Sequence, residues 1–238
     1  MTNNRLLDIL SYIACKEGPS SPLMIAKHLN IPVSSVYRYL SVLKKNRFIV
    51  DAKEKGGYVL GAIALQMANN FSQNNGLLDI AKPEMLRLSV KTKETVALMV
   101  PCKLQAICVE LVESQHALRC SFSVGKGTPL NKGATAKTLL AFMDKQEALQ
   151  AIKYNQNSLD DVSVFLAELR SVKKQGFGTS QGEVDEGIWG ISAPIINKNR
   201  LLGVITTMCP AMRAEGREAD LIEATRSCTK SIMEYLTL

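Results

Sequence analysis

Three groups of residues in this 238-residue chain have types and spacings that could do chemistry. The first is Ser34, Ser35, Tyr37, Arg38, Ser41, Lys44 and Lys45, with Lys53 and Lys55 following. Hydroxyls and cations packed this closely are the groups that hydrogen-bond base edges and neutralise backbone phosphates. The second is Ala134-Thr135 at the start of an apolar segment, together with Ser180, Thr206 and Met208. Unpaired backbone N–H groups and the positive dipole end at a helix start can hold a carboxylate. The hydroxyls of Ser180 and Thr206 read as strand-end groups able to donate or accept. Met208 lies two residues from Thr206, so both face one side of a strand. The third group is Cys102, Cys108 and Cys120 near His116, the ingredients of a thiol nucleophile with a base.

The third group argues against itself. His116 is the single histidine beyond residue 76, and it adjoins a strand-like run, where histidine is usually a surface or hydrogen-bonded residue. Glu110 and Glu113 fall on opposite faces of a strand, so they make no acid–base pair. Gly125-Lys126-Gly127 lacks the downstream pattern of a phosphate cradle. The six cysteines are scattered without a Cys-x-x-Cys pair, and His28 and His116 are the only histidines. A zinc site needs about four clustered ligands, so no metal, cofactor or disulfide framework is expected, and the thiols read as reduced and mostly buried. No catalytic residue is assigned and the chain is not expected to be an enzyme. The alternative is a small redox enzyme using Cys102, Cys108 or Cys120.

The first group sits on a recognisable set of elements. Leu6, Leu7, Ile9, Leu10 and Ile13 fall at helical spacing and stop at Gly18-Pro19. A second helix is predicted from about Ser21 to Leu29, with Pro22 in its first turn. After the turn Asn30-Ile31-Pro32, a third runs from Val33 to about Asn46, with Val36, Leu40 and Leu43 as its buried stripe. That leaves Ser34, Ser35, Tyr37, Arg38, Ser41, Lys44 and Lys45 facing outward. Two strand-like runs follow, Phe48–Val50 and Gly57–Leu60, joined by a polar turn carrying Lys53 and Lys55. Helix, tight turn, helix and basic hairpin is the order of a winged helix-turn-helix, whose second motif helix enters a major groove. Charge agrees: residues 1–61 carry nine Lys/Arg against four acids, +5 of the net +7.

Residues 62–76 read as a linker helix, with Ala64, Ala68 and Phe71 as its stripe, closed by Gln73-Asn74-Asn75-Gly76. Residues 77–238 mix helices and strands in the manner of an α+β sheet domain. Helices are expected at Ile80–Lys91, Ala134–Phe142 and 159–175. A last helix would bury Leu221, Thr225, Cys228, Ile232 and Tyr235. Strands are expected at Thr95–Val100, Ala106–Leu111, Leu118–Phe122, Phe177–Ser180, Ile188–Ile196 and Leu201–Cys209. The longest near-apolar run, Leu201–Met212, is shorter than the ~20 residues of a membrane span. No signal-peptide core follows Met1, so a cytoplasmic protein with no membrane partner is expected.

The stretch Ile25–Leu40, the segment Asn46–Val50 and Gly57–Gly61 resemble the DNA-binding unit of the IclR-type (isocitrate lyase regulator) bacterial transcription factors. Further on, Gly176, Ser180 and Glu183 stand at the spacings of that family's C-terminal signature, followed by Ile191, Ser192, Ile195 and Asn197. Departures are Gly190 for Cys, Ser or Ala, Ile196 for an aromatic, Trp189 for a common arginine, and Ala136 for glycine. The resemblance implies a linker helix that assists a homodimer or tetramer. It also implies a GAF-like effector domain, and a ligand-responsive regulator, a repressor of a catabolic operon, that binds double-stranded operator DNA. It carries effector contacts onto Ala134, Thr135, Ser180, Gly190, Thr206 and Met208, and marks Glu183 and Trp189. Glu183 reads equally as a structural acceptor, and Trp189 as a core or interface aromatic. A small carboxylate or a sugar-like metabolite is the expected effector.

Overall fold

The computed structural model describes residues 3–53, 56–155 and 162–237, and divides into two compact units, Met1–Asn75 and Gly76–Leu238.

In the first unit, helices α1 (Asn3–Cys15), α2 (Pro22–Leu29) and α3 (Val33–Lys45) precede a hairpin of β1 (Ile49–Asp51) and β2 (Tyr58–Leu60). Local chemistry fixes the boundaries. Ser21 caps α2 by accepting from the Met24 N–H at 3.3 Å. Asn30 ends it in the left-handed region at φ 50°, a conformation asparagine tolerates, and the chain can turn at once into α3. The core joins Ile9, Ile13, Ile25, Val36, Leu40, Leu43 and Ile49. Tyr39 is buried with them, outside the expected stripe. Ser20 and Tyr58 exchange backbone hydrogen bonds, tying the hairpin to the entry of α2. Helix α4 (Ile63–Gln73) closes this unit and buries none of its residues; Leu65 is 73% exposed, and Met67 and Phe71 are also exposed.

The second unit is a six-stranded antiparallel sheet with helices on both faces. Its strands are β3 (Thr95–Cys102), β4 (Gln105–Val112), β5 (Gly127–Pro129), β6 (Gly178–Gln181), β7 (Ile188–Asn197) and β8 (Arg200–Pro210), in spatial order β5-β4-β3-β8-β7-β6. The β7–β8 hairpin turns on Lys198 and Asn199, both at positive φ, the two-residue turn whose twist matches paired strands. Period-2 alternation splits the side chains into two cores. Leu98, Ile195 and Ile205 pack with α5 (Gly76–Thr92) and α10 (Glu218–Tyr235). Ala97, Met99, Val204 and Met208 pack with α6 (Gly133–Phe142), α7 (Lys145–Asn155) and α8 (Val162–Gln175). A single helical turn, α9 (Ala211–Ala214), joins β8 to α10.

Four expectations need correction. Leu118–Phe122 is not a strand; the edge of β4 is taken by β5 instead. The apolar alternation of Leu118, Cys120 and Phe122 imitates a strand, but the Cys120 carbonyl accepts from Thr95 Oγ1 at 2.7 Å and the Leu118 carbonyl from Arg213 at 2.8 Å. Helix α7, with its small buried set Ala148, Ala151 and Ile152, was not expected. Tyr235 is exposed, and Ala224 and Thr229 are buried on that face instead. Thr206 lies within β8 rather than at its end. The start of the expected helix 159–175, at 159–161, lies outside the described residues.

Candidate functional site

On α3 the outward residues are those the helical period predicts. Ser34, Tyr37, Arg38, Ser41, Lys44 and Lys45 are exposed and Ser35 is half-buried. Arg38 is partly ordered by its neighbour: its guanidinium lies 5.1 Å from the Tyr39 ring centroid, and one N–H donates to the Tyr39 hydroxyl at 3.4 Å. Because Tyr39 is held in the core, the cation is presented from a fixed base. Lys44 Nζ sits 2.6 Å from Asp51 Oδ2 on β1, a pairing that raises the lysine pKa and reduces the positive charge this helix presents. Lys53 is exposed in the hairpin turn; Lys55 lies outside the described residues.

The second unit holds a cavity of about 240 Å³ between the sheet and the start of α6. Ala134, Thr135, Ser180, Gly190, Thr206 and Met208 all line it, alongside Cys120, Phe122, Pro129, Val184, Asp185 and Ile188. Gly190 leaves room there. A Cβ built on it would meet Ser180 Oγ at 3.7 Å and Ala134 Cβ at 3.9 Å, ordinary contact distances. Gly133 enters α6 at φ +87° with Val184 Cγ2 2.6 Å from a built Cβ, so a side chain there would be both strained and blocked.

Trp189 and Glu183 stand apart from this lining. Trp189 precedes Gly190 on one strand, so the pleat turns it to the other face, where it packs with Ile191, Cys209, Ala214 and Leu221. Glu183 reaches the start of α6 from outside the cavity. Its Oε2 accepts from the Gly133 N–H at 2.9 Å, and its Oε1 lies 2.5 Å from Lys137 Nζ. The Ala134 N–H donates to Ser180 Oγ at 3.0 Å. Of the helix-start donors expected to be open at Ala134 and Thr135, that of Ala134 is therefore used by the protein itself, as is the Gly133 N–H before it.

Below them sit three hydroxyls in mutual contact, a feature missed at the level of sequence. Thr135 Oγ1 lies 2.9 Å from Thr206 Oγ1 and 3.3 Å from Ser192 Oγ, and the latter two are 2.6 Å apart. The available signal was the β7–β8 hairpin register, which pairs Ser192 with Thr206 across the strands.

A second buried polar assembly holds the loop beside the cavity. Arg213 donates to both carboxylate oxygens of the fully buried Glu94, at 2.9 and 2.6 Å, and also to the Leu118 carbonyl. Arg217 adds a hydrogen bond to the Thr92 carbonyl at 3.0 Å. Burial pushes Cys108 up to about 11 and Cys209 to about 12, and raises Cys120 as well, which keeps them protonated at neutral pH. His116 is exposed, and among the described residues no three His, Cys, Asp or Glu gather as metal ligands.

Comparison with known proteins bears on both units. The family described as "Bacterial transcriptional regulator IclR C-terminal" matches residues 70–234, and the "IclR helix-turn-helix domain" matches residues 4–51. The HTH-type transcriptional repressor AllR of Salmonella paratyphi A is 25% identical over 242 residues, spanning 98% of this chain and 89% of that protein. Among solved structures, the C-terminal domain of a Vibrio cholerae transcriptional-regulator candidate is 32% identical with a TM-score of 0.63, covering 68% of this chain and 99% of that domain. An IclR family transcriptional regulator from Brucella abortus shares the fold at a TM-score of 0.86 and 19% identity, covering 98% and 91% of the two chains. None of these relationships supports a thiol redox enzyme. A DNA-binding helix-turn-helix in one unit and a C-terminal regulator domain in the other, both matched in order, make the chain a member of the IclR family of bacterial transcriptional regulators.

Proposed function

We propose that the chain is a cytoplasmic, homodimeric repressor that reads operator DNA with α3 and releases it when a small molecule fills the cavity of the second unit. The observation that carries the reading is the exposed polar and basic face of α3, with a hairpin immediately after it. In this reading Arg38 reads a base edge, while Ser34, Ser35, Tyr37 and Ser41 make groove contacts. Lys44, Lys45 and the hairpin lysines Lys53 and Lys55 neutralise phosphates. Repression is favoured by the name of the AllR relative. The dimer is favoured by α4, where Leu65, Met67 and Phe71 are exposed on a helix that buries nothing within its unit. Residues 62–76 then serve as the segment through which ligand binding in one unit alters DNA affinity in the other.

The test is selection of DNA from a random pool, then footprinting. A dimer of winged helices protects two half-sites about 10 base pairs apart or a multiple of that. No enrichment over the starting pool would remove the DNA-binding reading. A single unpaired footprint with a monomer in sedimentation would remove the dimer, and larger species would indicate a tetramer.

A further inference from the structure

We propose that residues 182–187 form a lid over the cavity, latched shut by Glu183, and that an effector enters and leaves when this lid opens. The proposal gives the effector site read above its entry route and rests on that reading for its purpose, but the motion itself is tested with no ligand present.

The segment joins β6 to β7 and has the build of a hinged strap. At its two ends Gly182 and Gly187 adopt φ +68° and +76°, and a Cβ built on either meets nothing within 4 Å. Glycine serves there through its backbone freedom and not through close packing. The base of the strap is fixed. The Gly182 N–H donates to the Ile188 carbonyl at 2.8 Å, and the Gly187 carbonyl accepts from the Ala211 N–H at 2.7 Å. Opening gives up a longer bond, from the Ile188 N–H to the Asp185 carbonyl at 3.2 Å. Val184, Asp185 and Glu186 are exposed, although Val184 and Asp185 also line the cavity. A segment that borders a cavity and buries little apolar surface opens at far lower cost than the sheet beside it.

One side chain holds the strap down. Among the described residues, its side-chain hydrogen bonds to other elements all come from Glu183, which meets the Gly133 N–H at 2.9 Å and Lys137 Nζ at 2.5 Å. Lys137 is buried on α6 and also meets Glu168 of α8 at 3.4 Å. The latch thus ties the lid to α6 and α8. Closure is favoured because opening leaves a buried ammonium with the half-exposed Glu168 as its remaining partner. It is reversible because the Glu183 side chain is itself 34% exposed, so water can replace its partners.

Cys120 reports the position of the lid. It is buried and lines the same cavity. Burial is the main cause of its raised pKa; Arg213 lowers it, while Glu94 and the lid residue Asp185 raise it further.

The experiment is iodoacetamide labelling of the full chain at pH 8, read at each cysteine by peptide mass spectrometry. In the unmodified protein Cys120 should stay protected while the exposed Cys15 and Cys102 react. Glu183→Ala, which removes both latch contacts, should speed Cys120 at least about tenfold and leave the buried Cys209 and Cys228 within about twofold. Glu183→Gln keeps an oxygen for the Gly133 N–H but loses the charge facing Lys137, so its rate should fall between. Should Glu183→Ala not fold, Lys137→Met carries the same expectation from the opposite partner of the latch. An unchanged Cys120 rate overturns the lid. So does equal acceleration of all the buried thiols, which reports loosening of the whole unit.

Benzamide, 4-hydroxybenzoate and lactate, added as probes, separate the lid from the effector site. A probe that occupies the cavity should slow Cys120 labelling in Glu183→Ala about tenfold when present at about ten times its dissociation constant. If the latch variants expose Cys120 and none of the three protects it, the lid stands and the effector-site reading falls.

Discussion

Single residues set the electrostatics of the α3 face. Lys44 is shared between that face and Asp51, so Asp51→Asn should free a cation and tighten binding to all DNA sequences alike. The pair is exposed, so the gain should be small, read as a steeper dependence of affinity on salt. Arg38→Ala should instead cost about 1–3 kcal/mol on selected DNA and little on scrambled DNA, because a base contact is lost. Equal losses on both would make Arg38 a phosphate contact. The thiols offer a third check at this scale. Burial raises the pKa of Cys108, Cys120 and Cys209, so each stays a neutral thiol at pH 8 and becomes nucleophilic only as pH rises toward its elevated value. Iodoacetamide at pH 8 should label the exposed Cys15 and Cys102 in the native protein, with the buried thiols following only on unfolding.

At the scale of elements, sequence was most informative where one periodicity governs a whole segment. The helices and hairpin of the first unit were legible, because Val36, Leu40 and Leu43 repeat cleanly and Ser21, Asn30 and Pro32 punctuate the helices, but the burial of Tyr39 off that stripe was not. The cavity residues on β8 were legible from the same rule, since Thr206 and Met208 are two apart. That rule also bars Trp189 from the face Gly190 occupies, and family pattern alone had joined them. What stayed hidden depended on long-range partners. Nothing local states that Glu183 caps a helix starting 50 residues earlier, or that the carbonyls of Leu118 and Cys120 are held by Arg213 and Thr95. The Glu94–Arg213 clamp gives the prediction at this scale. Glu94→Gln leaves Arg213 with a weaker partner and a neutral group in a fully buried position. Breaking such a pair should lower unfolding free energy by about 3 kcal/mol in a denaturant titration. A loss below about 0.5 kcal/mol would mean that the loop bordering the cavity is held by other contacts.

In the whole molecule a DNA-binding unit is joined to a ligand-sensing unit, and any coupling between them must be reciprocal. Gly190→Leu is suited to separating the two, since the position has space for a Cβ and the larger side chain extends into the cavity. The decisive measurement is fluorescence anisotropy of a DNA fragment selected by the protein, titrated with unmodified and Gly190→Leu protein, with and without the tightest-binding probe. Unmodified protein should change its DNA affinity about 5–150-fold when the probe is present, whereas Gly190→Leu should hold its probe-free affinity within about threefold and lose the response. An equal response in both proteins, or no preference for selected over scrambled DNA, would contradict the account.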